Sequence, residues 1–218
     1  MNYKEIKNKQ REIRDGFSPD LGLRVHRAIS WLGKAESTHD DFDAKFIFLW
    51  ISFNAAYAKD IDHEVSKYLG ERDHFHRFFE KLVALDATSS IYKEVWNAYP
   101  GAVRGLMNNQ FVFHPFWEFQ NEHSTENWEE RFNASKKVFN KAFASNDVPQ
   151  VLSLLFDRLY VLRNQIMHGG ATWNGKVNRE QLRDGSGILS ALIPIFIDLM
   201  MDNPQVNWGE PFYPVVSV

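Results

Sequence analysis

The twelve residues 159–170, LYVLRNQIMHGG, decide how this chain is read, because they set an arginine among leucines and end on a histidine followed by two glycines. Advancing about 100° per residue from Leu152, the positions Leu155, Phe156, Leu159, Leu162 and Ile166 share one sector of a helix, and Arg163 falls near the middle of it. A guanidinium keeps its charge at any ordinary pH, so burying it is costly unless anions or hydrogen-bond acceptors surround it. Two readings of Arg163 stand open. It pairs with a carboxylate from a neighbouring helix or snorkels past its apolar neighbours, or it meets an anion that arrives from outside. His168 likewise has a plain role: a cation near a helix C-terminus is favourable, and Gly169 supplies the left-handed residue that ends a helix. Taken together, Arg163, Asn164 and His168 make a phosphate-directed set in which the arginine neutralises charge, the histidine moves a proton and the amide orients them. Such chemistry needs no metal.

The phrase LRNQIMHGG resembles the signature of the HEPN superfamily, an arginine and a polar residue followed by a histidine near the end of a helix. Arg163, Asn164 and His168 match it, with four residues between the arginine and the histidine. The earlier stretch FIFLWISFNAAY is similar to the second helix of Apea-like and related HEPN groups, through Trp50, Phe53 and Asn54. The resemblance implies an all-α, HEPN-like helical bundle with additional helices. It further implies a homodimer in which two copies of the motif face each other, and cleavage of RNA as a ribonuclease without metal or other cofactor. A toxin–antitoxin or defence setting, with an antitoxin or other protein partner, follows from the same resemblance. Its rival is a non-catalytic HEPN-like module that binds a nucleotide, RNA or protein. Asn54, placed on its helix between Ile47, Trp50, Ile51 and Tyr57, needs partners if buried; Arg163 or His168 is one option, a backbone carbonyl or a water another.

Basic residues near the motif, Arg158, Lys176, Arg179 and Arg183, are candidates for an RNA-binding entrance, with Trp173 as a stacking face. Asp157, Glu180 and Asp184 dilute that patch, so a solvated face of mixed charge is the competing reading. The chain as a whole carries a net charge of −3, so any nucleic acid must be held by a local patch. His74 and His76 lie two apart, on different faces of a helix, and His26, His39, His63, His114 and His123 show no HExxH spacing, which argues against a native metal site. No GxSxG, GxGxxG or Walker-type loop occurs. The absence of cysteine removes disulfides and thiol nucleophiles from consideration.

Helix-length blocks recur along the chain, and strand-like alternation bounded by turn residues hardly appears. Helices are expected from Pro19 through LGLRVHRAISWLGKAE, after the acidic DDFD through AKFIFLWISFNAAYA, and near 73–85, 89–99, 126–144, 148–168 and 187–202. Phe46 to Ile51 is an unbroken apolar run that periodicity alone would allow as a strand; the alanines around it favour a buried helix. The segments YPGAVRG and NNQFVFHPFWEFQNEHS read as irregular connections. With 44% apolar residues and 18 Phe, 7 Tyr and 7 Trp, the 218 residues suffice for a single HEPN-like domain, 1–218, with a ring-rich core. Residues 1–18 form a polar N-terminal segment and 203–218 an extended C-terminal tail, which either packs on the surface through Trp208, Phe212 and Tyr213 or serves an oligomer contact. The N-terminus is polar from its first residue, which reads as no secretory signal and a cytoplasmic protein. The apolar run from Ile188 to Met201 is interrupted by Ser190, Pro194 and Asp198 and is short for a bilayer crossing, so no membrane partner is expected.

Overall fold

A computed structural model describes residues 1–57 and 71–215 of the chain, with side chains from Phe75 onward in the second segment. His63 and the side chain of His74, weighed above as metal ligands, lie outside the described residues. The architecture is all-α, with no β-strand among the described residues.

α1 (Tyr3–Ile13) opens on a reciprocal cap in which the Asn2 side chain accepts from the Glu5 backbone and the Glu5 carboxylate accepts from the Asn2 backbone. The polar segment 1–18 is therefore ordered, an amphipathic helix held by Ile6 at 0% exposure and by Lys9, which bridges Asp198 and Asp202 at 2.6 and 2.7 Å. α2 (Pro19–Glu36) starts as expected, with Ser18 as cap and Pro19 in the first turn. α3 (Phe42–Tyr57) is the apolar run. None of its residues is exposed, and Phe46, Leu49, Trp50 and Phe53 lie fully in the core. It is a helix and not a strand because α2 and the last helix cover it from separate sides, which consumes apolar residues on every face.

α4 (Glu71–Leu85) is followed by a single turn, Ser90–Tyr92, that runs into a π-helical stretch, Lys93–Ala98. There Tyr92, Trp96 and Phe143 stack in series, with ring centroids 4.8 and 4.6 Å apart. Two segments expected to be irregular hold short helices instead: α5 (Pro100–Met107) and α6 (His114–Gln120), each with proline in its first turn. Their helical periods are too short to register in sequence, and proline, read as a breaker, here opens the helix. α7 (Trp128–Ala144) is capped by Asn127 and α8 (Val148–Met167) by Asp147.

α9 (Arg179–Asp202) begins eight residues before the expected Gly187. Gly185 and Gly187 hid its first two turns, because glycine argues against a helix interior. The reason for glycine is steric: a Cβ at Gly185 would stand 2.9 Å from the Phe46 ring and 3.0 Å from Leu159, so its absence lets α9 cross α3 and α8 closely. α9 is the one helix among the described residues long and apolar enough to span a bilayer; 61% of its most apolar window is buried inside the protein, where it forms core.

Arg24, on α2, is the buried guanidinium that the sequence did not mark. At 1% exposure it donates to the carbonyls of Ala56, Gly209 and Glu210. Burial pushes its pKa down to about 10. Arg24 thus joins the Ala56 carbonyl of α3 to the two tail carbonyls and pins the tail against α2 and α3. The tail packs through Trp208, 8% exposed, whereas Tyr213 is 73% exposed. Replacing Arg24 with Met keeps the aliphatic stem and strands three carbonyls. The expected loss is about 3 kcal/mol, read in urea unfolding, together with earlier proteolytic cleavage within 203–215; unchanged stability would show that the tail is held without it.

Candidate functional site

α8 carries the motif because one stripe of it belongs to the ring core. Phe156 meets Phe53 at 4.5 Å, Phe79 at 4.8 Å and Phe196 at 6.2 Å between ring centroids. Leu155, Phe156, Leu159 and Leu162 are fully buried, whereas Arg163 and Ile166 are half-buried, so the stripe reaches the edge of the core at the arginine. Arg163 Nη1 donates to the Asn164 side-chain oxygen at 2.8 Å. Among the described residues no carboxylate lies within ion-pair distance of it, and its other N–H groups have no acceptor.

The helix ends where the sequence indicated. His168 is its exposed C-terminal cap, and its backbone donates to the Asn164 carbonyl at 2.9 Å. Gly169 takes φ +71° and donates to Ile166, and Gly170 donates to Gln165, which together make the Schellman exit. Asn164 and His168, four apart, are neighbours on the helix surface. Arg163 and His168 stand about 140° apart in projection and about 7.5 Å apart along the axis. The two side chains therefore leave the end of α8 on different faces.

The remaining candidates divide. Arg158 is 3% exposed and stacks on Phe113 and Phe132, 4.4 and 5.8 Å from the ring centroids, while donating to Ser135 at 2.9 Å. It packs with a second aromatic cluster beneath α6 and α7, in the wall of a cleft it shares with His114, Arg131 and Ser135. Arg179 is committed to Asp43 at 2.7 Å and to the Gly175 carbonyl. Arg183 is exposed, with Glu180 and Asp184 at 3.7 and 3.5 Å. Lys176 is exposed and makes no ion pair among the described residues. Asn54 is half-buried, and among the described residues its side chain bonds neither Arg163 nor His168.

Trp173 is 72% exposed, and its indole donates to the Asp41 carboxylate at 2.8 Å. Asp43 also accepts from the Asn174 backbone at 3.3 Å, so the acids before and inside the first turn of α3 hold the loop that follows His168. In the sequence the DDFD run signals only helix initiation, a role that Asp41 does serve by accepting from the Ala44 backbone at 2.9 Å; its long-range partners leave no local trace. Family models, curated proteins and solved structures were all compared with the chain, and none matches it.

The Ala44 backbone hydrogen bond holds the Asp41 carboxyl below its ordinary range; slight burial opposes this and the Trp173 indole adds to it. A carboxyl that titrates lower folded than unfolded stabilises fully above the ordinary carboxylate range, and that contribution is lost as pH falls through the depressed value. The Trp173 emission, taken as wild type minus Trp173→Phe, is therefore expected to stay flat from neutrality to about pH 4 and to shift only below it. A shift near neutral pH would show that another group governs the loop.

Proposed function

We propose that the chain is a metal-independent endoribonuclease of HEPN type. The observation that carries this reading is Arg163: a half-buried guanidinium at the edge of the core, with no carboxylate beside it among the described residues, oriented by Asn164, and with His168 exposed at the same helix end. A cation desolvated to that degree and left without an anion is suited to a phosphate.

In the proposed reaction the 2′-oxygen of a ribose attacks the adjacent phosphorus as His168 takes its proton. The P–O5′ bond breaks, giving a 2′,3′-cyclic phosphate and a 5′-hydroxyl, and Arg163 stabilises the charge that builds on the phosphoryl oxygens. Each chain brings one histidine to the site. The leaving 5′-oxygen takes its proton from His168 of a second copy, which makes the homodimer part of the reading. Met167, Trp173 and Val177, 53, 72 and 62% exposed around the motif, provide apolar surface for that contact. A toxin or defence effector in the cytoplasm, restrained by a protein partner, is the setting that goes with such an activity.

The non-catalytic alternative draws on a different observation. Arg158 and Arg179 are engaged within the fold and Arg183 is flanked by acids, so few cations remain to grip a long nucleic acid. A module binding a nucleotide or a protein partner places less demand on them.

Purified protein in chelator is expected to cleave single-stranded RNA to cyclic-phosphate ends. His168→Ala and Arg163→Ala should each lower the rate by about 100-fold or more while the folded helical spectrum is retained. RNA left intact by wild type, or cut equally by a folded His168→Ala protein, removes the catalytic reading in favour of the binding module. The rate per chain is further expected to fall on dilution below the concentration at which light scattering shows monomer; a rate per chain independent of dilution would place both proton transfers within one subunit.

A further inference from the structure

A cleft of about 740 Å³ opens beside the end of α8, between the turn that precedes α6 and the start of α9. Among the described residues its lining holds no charged side chain. Instead it holds five carboxamides, Asn109, Asn121, Gln165, Asn178 and Gln181, with the rings of Phe111 and Trp117. The volume falls within the range of small-molecule sites, and the composition is selective: rings offer a stacking face, and amides present a donor and an acceptor side by side.

Part of this lining is fixed by its own hydrogen bonds. The Trp117 indole and the Gln165 side chain both donate to the Phe111 carbonyl, at 2.8 and 2.5 Å, and the Asn109 side chain accepts from the Phe111 backbone at 2.8 Å. The Gln165 oxygen accepts in turn from Asn178 at 2.5 Å. These bonds hold the aromatic wall against α8. The side-chain amides of Asn121 and Gln181, by contrast, make no hydrogen bond with any described residue and remain free for a ligand.

We propose that this cleft binds a nucleobase, stacked on Phe111 and Trp117 and read along its edge by Asn121 and Gln181. A planar heterocycle with alternating donors and acceptors satisfies both the rings and the amides. A phosphate finds no cation inside and must remain at the mouth. The cleft adjoins the motif: Gln165 and His168 are three apart on α8, hence surface neighbours, and Gly170 is part of the lining. A base in the cleft therefore sets its own sugar and phosphate at the end of α8. The inference rests on the ribonuclease reading for the identity of the polymer, and it names the subsite that would give that enzyme a base preference.

The test uses the full chain labelled with ¹⁵N at tryptophan, with the Trp117 indole resonance assigned by Trp117→Phe. Adenosine, guanosine, cytidine and uridine are each titrated, with ribose 5-phosphate as the base-free control. At least one nucleoside is expected to move the Trp117 resonance with a dissociation constant on the order of 1 mM, leaving the Trp31 resonance in place. Asn121→Ala and Gln181→Ala, both at solvent-accessible positions, should each weaken that binding about threefold or more. No movement by any nucleoside, equal movement by ribose 5-phosphate, or unchanged binding in both variants would overturn the proposal. The outcome is separable from that of the catalytic reading. Nucleoside binding with an inert His168 leaves the cleft standing without the nuclease, and His168-dependent cleavage without nucleoside binding does the reverse.

Discussion

The contact on which the arrangement depends is the face of Phe156 against Phe53 and Phe79. Once that ring is locked between α3 and α4, α8 has no rotational freedom, and every other side chain on it is assigned a direction. Arg163 lies seven residues on, returning within about 20° of the same azimuth. The helix does not choose to aim a cation at the protein; burying Phe156 requires it. What saves the arginine from full desolvation is length, since the stripe leaves the core within two turns. The guanidinium thus sits where the dielectric is falling toward that of protein but solvent still reaches, and at such a site an unpaired cation attracts an anion more strongly than on an open surface.

The same rigidity governs the helix end. The Schellman exit turns the chain away directly after His168, and the loop that follows is tied back through Trp173 to Asp41 and through Asn174 and Arg179 to Asp43. These ties spend charge that a sequence reader would assign to a ligand. Arg179 is anchored because the loop it closes carries several backbone groups with no helical partner, and a bidentate-capable cation joins a carboxylate to one of them, the Gly175 carbonyl. Stability of the exit and freedom of nearby cations therefore compete, and here the exit takes Arg179.

How far the sequence discloses this follows from the range of each interaction. α2, α3, α7 and α8 are legible within about two residues because their caps, Ser18, Asn127 and Asp147 among them, act on neighbours in the chain. The His168 and Gly169 stop is legible for the same reason. α9 was foreshortened because the glycine at 185 answers to Phe46 and Leu159, far away in sequence. Arg24 leaves no signal in the sequence because its acceptors are backbone carbonyls, which have no residue identity to read. The burial of Arg158 is not legible because nothing in its own helix announces Phe113 and Phe132. Periodicity tells which way a side chain points; it is silent on who waits there.

The consequence for recognition is a matter of charge supply. Long-range attraction to a polyanion scales with the cations that can be offered to phosphates, and of the five basic residues at or near the motif named from sequence, Arg158, Arg179 and Arg183 are accounted for by their neighbours, leaving Arg163 and Lys176. A protein of net charge −3 adds no general field to help them. On the proposed reading, specific affinity at this helix end comes from short-range contacts, stacking and amide hydrogen bonds, which act over a nucleotide or two and are little affected by salt. The cleft beside Gln165 and Gly170, lined by amides and rings without charge among the described residues, has the composition for that kind of contact, and Gln165 lies within one turn of Arg163.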